Sequence, residues 1–95
     1  VLFRSPLFKL RACLQTRSPV IAFVQAGDLP YTRVKAFHAV VVIGSNADKG
    51  VVYLNDPASD THPQEVPMDY FMLAWSEFDY QAAIITPQRN EGDDE

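Results

Sequence analysis

Cysteine is almost missing from this chain of 95 residues, and its single copy, Cys13, excludes an intramolecular disulfide and any zinc site built from several thiolates. One Cys carries no information on redox compartment, so no localisation follows. Long apolar runs are missing too. Nothing reaches the roughly 18 unbroken apolar residues a membrane helix needs, and the cleanest stretch, Ala39 to Ile43, is strand-sized. A soluble chain without a membrane span is expected. There is no excess of positive charge: 8 basic and 12 acidic residues give −4, and Glu91, Asp93, Asp94 and Glu95 supply four of those acids. Nucleic acid is therefore not an expected partner, because phosphate binding needs Lys and Arg clustered on one face. Repeats and low-complexity segments are absent as well.

What is present fits one small domain. The chain opens without Met and without the basic-then-apolar pattern of a signal peptide. Val1-Leu2-Phe3-Arg4-Ser5 is what one frame of a common sequencing adapter end encodes (GTG CTC TTC CGA TCT), so residues 1–5 are expected to be a non-native leader. On that expectation the domain runs over 6–87 as a piece of something longer, and 88–95 is a disordered acidic tail.

Along the domain, Leu7, Leu10 and Leu14 stand three and four apart, Ser5 is placed to cap and Pro6 opens the first turn. This spacing predicts a short amphipathic helix. Ser18-Pro19 ends it, and Val20 to Val24, apolar throughout, predicts a strand covered on both faces. Ala26 to Ala36 has Gly27, Asp28 and Pro30 and no period, so it reads as a loop. Phe37 to Ile43 and Val51 to Asn55 predict an antiparallel hairpin across Gly44 to Gly50. Asp56 to Glu65 reads as a loop leaving the sheet. Pro67 then opens a second helix with Phe71, Trp75 and Phe78 on one face, and Tyr80 to Thr86 is a last strand. The expected fold is α+β, with an antiparallel sheet of about four strands and two helices.

Two histidines and one cysteine allow the candidates for chemistry to be weighed singly. His38 leads an otherwise apolar strand, and Asp56 closes its partner. If Ile43 faces Val51, His38 stands opposite Asp56 on the face that carries Val40, Val42, Val52 and Leu54; a slip of one residue separates them. A carboxylate beside an imidazole selects its tautomer and stabilises its cation, as a general base requires. On spacing alone, a structural hydrogen bond at a sheet end is the commoner explanation of such a pair. Cys13 falls in the last turn of the first helix, where the dipole opposes a thiolate, and it is expected to be a small core or boundary residue. His62 sits in a polar loop, and no residues have the spacing of a metal site, so neither metal nor cofactor is expected.

Several segments together carry a family resemblance: Pro19 to Val24, Gly27-Asp28-Leu29-Pro30-Tyr31, Phe37-His38-Ala39-Val40-Val41-Val42-Ile43-Gly44, Val52-Tyr53-Leu54-Asn55-Asp56-Pro57-Ala58, and Phe71 to Trp75 before Tyr80 to Ile85. Over roughly residues 7 to 86 the chain resembles the C-terminal half of a papain-like cysteine peptidase, and is similar to the family 39-like domains that process bacteriocin precursors at double-glycine leaders. The resemblance implies peptide-bond hydrolysis through a Cys-His-Asp triad, with His38 as general base, Asp56 as its orienting partner and Tyr31 bordering the substrate cleft. It places the nucleophilic Cys and an oxyanion Gln in an N-terminal lobe, of which this chain holds none, so the chain as given is expected to be inactive. Cutting that lobe away is expected to uncover the strip of Val40, Val42, Val52 and Leu54. The alternative is a non-catalytic module that keeps a peptidase-like cleft to hold a peptide.

Overall fold

The structure is a computed structural model, and it describes residues 5–32 and 34–84. Most of the expected leader and all of the expected acidic tail lie outside the described residues. Within them the order is helix α1 (Pro6–Gln15), strand β1 (Val20–Gln25), a single 3-10 turn (Ala26–Asp28), β2 (Phe37–Asn46), β3 (Val51–Asn55), β4 (Gln64–Pro67), α2 (Met68–Ser76) and β5 (Ala82–Ile84). The strands form one antiparallel sheet in the order β4-β3-β2-β1-β5, so β2 is central. No helix among the described residues is long and apolar enough to cross a membrane.

Local chemistry sets the ends of the helices. The Ser5 hydroxyl accepts from the Phe8 N–H at 3.1 Å, Pro6 occupies the first turn, and Arg17 turns the chain out with φ 59° before Ser18-Pro19. Helix α2 begins after Pro67, and Phe71, Ala74 and Trp75 are its buried residues. Phe78 lies beyond its end and stacks edge-on against Phe37, 5.1 Å between ring centroids, on the opposite side of the sheet from Phe71 and Trp75. The expected aromatic stripe therefore has two members, because the helix stops at Ser76 and the chain turns through Asp79 and Tyr80, both at positive φ.

Both helices cover the same face of the sheet. Leu10 from α1 and Phe71, Ala74 and Trp75 from α2 close over Val20, Ala22, Val24, Val40, Val42, Val52, Leu54 and Val66. The strip of Val40, Val42, Val52 and Leu54 is fully buried rather than uncovered, and β1 is covered on one face, not two. The half-exposed apolar face is the other one, where Phe23 stacks on Phe37 at 5.6 Å between centroids. The fifth strand is β4, which begins in the segment read as a loop and ends on the Pro67 expected to open the second helix. It lies at a sheet edge, where Pro63 and Pro67 cost no ladder bond, and its Val66 points into the core.

The hairpin register differs from the expected one, and the difference matters for the site. Strand β2 runs on to Asn46, which pairs with Val51 across a turn that needs Gly50 at φ 66°. That shifts the pairing by three residues at the turn end. Ile43 then bulges out between the Val42–Leu54 and Gly44–Tyr53 pairs, reducing the shift to two. An even shift preserves the faces, so the even-numbered residues of β2 and β3 point the same way from Val42 back to His38.

Candidate active site

His38 is the second residue of β2, paired with Val24 of β1, and it leaves the core face where the helices no longer cover it. Asp56 follows the last residue of β3 and is 1% exposed, the one buried charged residue among the described residues. The imidazole Nε2 lies 2.5 Å from Asp56 Oδ1. Two further donors complete the carboxylate. The Ala58 N–H reaches the same Oδ1 at 2.8 Å, an Asx turn within Asp56-Pro57-Ala58, and the Tyr31 hydroxyl donates to Oδ2 at 2.6 Å. The structure thus brings together all three residues singled out in the sequence.

The electrostatics follow from those contacts. Burial, the largest single influence on Asp56, pushes its carboxyl up. The hydrogen bonds from Tyr31, His38 and Ala58 and the imidazolium charge together outweigh it and hold the group below its ordinary value. An ionised carboxylate can only accept, so Nε2 must be the nitrogen that carries hydrogen, which leaves Nδ1 as the acceptor. Tyr31 is moved the opposite way: burial, the hydrogen bond to Asp56 and the charge of Asp56 all raise its phenol.

Because the folded-state pKa of Asp56 lies below its unfolded value, its contribution to stability is complete above that unfolded value, about 3.9, and is lost as pH falls through the folded one. The urea midpoint should hold steady down to about pH 5 and fall below about pH 4. Glu65 adds a loss of the same sign through its hydrogen bond from Lys49, but that pair is exposed and screened by salt. An acid limb that vanishes in high salt would show that Asp56 does not carry it.

Tyr31 sits on a pinned loop. Its base is tied by Ala26 N–H to Ala36 carbonyl at 2.9 Å, by Ala36 N–H to Gln25 Oε1 at 2.6 Å, and by the Thr32 hydroxyl to the Ala26 carbonyl. Leu29, 2% exposed, anchors the loop in the core. Gly27 is required by a close approach: a Cβ there would stand 2.8 Å from Lys35 Cγ and 3.3 Å from Lys35 Cα. Gly27→Ala should therefore displace the loop and cost about 1–3 kcal/mol, measured by urea unfolding; an unchanged midpoint would show the loop to be compliant.

Between this loop and the Asp56–Thr61 segment lies an open cleft of about 600 Å³, lined by Tyr31, His38, Asp56 and the small residues Ala26, Ala36 and Ala58. Cys13 is not part of it. Half-buried in α1, it lines a separate groove of about 290 Å³ with Leu10, Trp75 and Tyr80. His62 is exposed. No cluster of three metal-ligating side chains occurs among the described residues. The Tyr31–Asp56 bond was beyond sequence reasoning, since 25 residues separate the partners, whereas the Asx turn was readable in Asp-Pro-Ala.

A solved chain from Bacillus anthracis assigned to the C39-like peptidases superimposes with a TM-score of 0.70 at 23% identity, over 88% of this chain and 48% of that one. Residues 5–83 match the Peptidase_C39 like family, and the chain belongs to it. Uncharacterised proteins of Mycobacterium tuberculosis and Mycobacterium bovis are 42% identical over 40 residues, 41% of this chain. The chain spans 17% of the length of those relatives and about half of the Bacillus anthracis chain.

Proposed function

We propose that this chain carries the general base and its orienting partner of a bacterial papain-like cysteine peptidase, and that the nucleophilic Cys belongs to another part of the parent protein. The observation that supports the reading is the 2.5 Å His38–Asp56 contact, made to a carboxylate that three donors hold ionised in a buried position. In the proposed reaction Nδ1 of His38 takes the thiol proton while the sulfur attacks the peptide carbonyl carbon. The imidazolium returns that proton to the departing amine, and the acyl-enzyme is released by a water that His38 deprotonates. Asp56 keeps its charge throughout and stabilises the imidazolium. The ring of Tyr31 borders the substrate. The cleft beside His38 is lined by Ala26, Ala36 and Ala58 together with Val34, Ser59 and Asp60, and it is open enough for an extended peptide. No cofactor is needed.

Two samples test this. The 95-residue chain should cleave no peptide, since its one thiol lies in another groove. The reading frame extended upstream of Pro6 and expressed whole should cleave a peptide containing a Gly-Gly site and lose that activity to a thiol alkylator. An extended protein that binds the peptide without cleaving it would make the domain a binding module. Cleavage by the short chain, abolished by Cys13→Ala, would overturn the assignment of the nucleophile.

A further inference from the structure

The Asp56 carboxylate is held unevenly. Oδ1 faces two donors, the imidazole and the Ala58 N–H, and both belong to the sheet end around it. Oδ2 has one donor, the Tyr31 hydroxyl at 2.6 Å, and that donor comes from a loop built separately. Without it a carboxylate can turn about its Cβ–Cγ bond and exchange which oxygen meets the imidazole, because the two oxygens are chemically equivalent. With it the plane is fixed at both ends. The loop is suited to that task. It is pinned at its base by Gln25, Ala36 and Thr32, and it is anchored by Leu29 two residues before Tyr31. A ring on two rotatable bonds then delivers the hydroxyl with little freedom to lose.

We propose that Tyr31 is a positioning residue: its hydroxyl fixes the plane of the Asp56 carboxylate, which holds His38 as the Nε2–H tautomer with Nδ1 left as the base. This role rests on the reading of His38 and Asp56 as the base pair of a peptidase. It gives the Ala26–Ala36 loop a second duty, for the segment that walls the cleft also sets the base. A loop that moved to admit substrate would alter the base with it.

The test is a ¹⁵N imidazole pH series of the whole chain, read on the high-pH plateau where the ring signals no longer change. The wild type should show His38 as a single Nε2–H tautomer. Tyr31→Phe keeps the ring and removes only the donor. It should lower the Nε2–H to Nδ1–H ratio by roughly tenfold or more, the effect of one hydrogen bond to a charged group, with circular dichroism near wild type and a lowered thermal midpoint. A residue that merely packs would leave the ratio alone. A wild type lacking the Nε2–H tautomer overturns the His38–Asp56 reading itself, whereas a normal wild type with an unchanged Tyr31→Phe overturns only the role of Tyr31. Should Tyr31→Phe not fold, the Tyr31 Cζ resonance of the wild type decides. A hydroxyl committed to Asp56 shows no ionisation through about pH 11, a unit past the ordinary phenol value, and ionisation below that overturns the proposal.

Discussion

Replacing Asp56 by alanine should leave most of the chain unfolded at neutral pH. Its side chain is 1% exposed and accepts from Tyr31, His38 and Ala58, so its loss strands three donors where water has little access. Removing one member of a buried charged pair costs about 3–5 kcal/mol, and a domain of this size has on the order of 3–5 kcal/mol to lose. His38→Ala should behave differently. The imidazole is 24% exposed, and deleting it leaves the carboxylate with two of its donors and an opening through which water can supply a third. About 1–2 kcal/mol is the expected cost. Urea unfolding of both variants reads the asymmetry, and equal losses would mean that the carboxylate is stabilised chiefly by His38 rather than by the whole set of donors.

The site was legible to the extent that faces are, and illegible where partners come from afar. Alternation along Phe37 to Ile43 and Val51 to Asn55 is a period-two signal, and any register that buries Val40, Val42, Val52 and Leu54 together sends His38 and Asp56 the same way. That is why a pairing wrong by two residues still placed the two side chains together. The true hairpin is three residues longer on β2, and only the bulge at Ile43 restores the parity. Nothing local marks that bulge, since Ile43 differs from its neighbours only in being 45% exposed.

The helices were readable from spacing and caps, but which face they cover was not. Two amphipathic helices can sandwich a sheet or share one side, and their sequences are the same in either case. Here they share one side, so the strip expected to be bare is the core and the Phe23–Phe37 face is the more open one. Strand β4 escaped notice because Pro63 precedes it and Pro67 ends it, and proline argues against a strand only where both edges must pair. Tyr31 is the harder case. Its loop has no period, and a hydroxyl that meets a carboxylate 25 residues away leaves no trace in either neighbourhood.

His38→Ala, made in the longer protein proposed to supply the nucleophile, should lower kcat by about 10²–10⁴, the usual share of a positioned general base, and should leave KM little changed because the cleft walls are kept. Asp56→Asn should cost less. An amide oxygen in place of Oδ1 still accepts from His38 Nε2 and from the Ala58 N–H, so the tautomer survives, and what is lost is the negative charge that stabilises the imidazolium while the thiolate forms. The amide nitrogen then meets the Tyr31 oxygen, which can turn from donor to acceptor without moving. Cys13→Ala should change neither constant, because Cys13 lines another groove. The ordering of the three variants carries the argument more than any single value. If Asp56→Asn were as damaging as His38→Ala in folded protein, the charge would matter as much as the base itself, and if His38→Ala left kcat intact, the Cys-His-Asp reading of this cleft would be wrong.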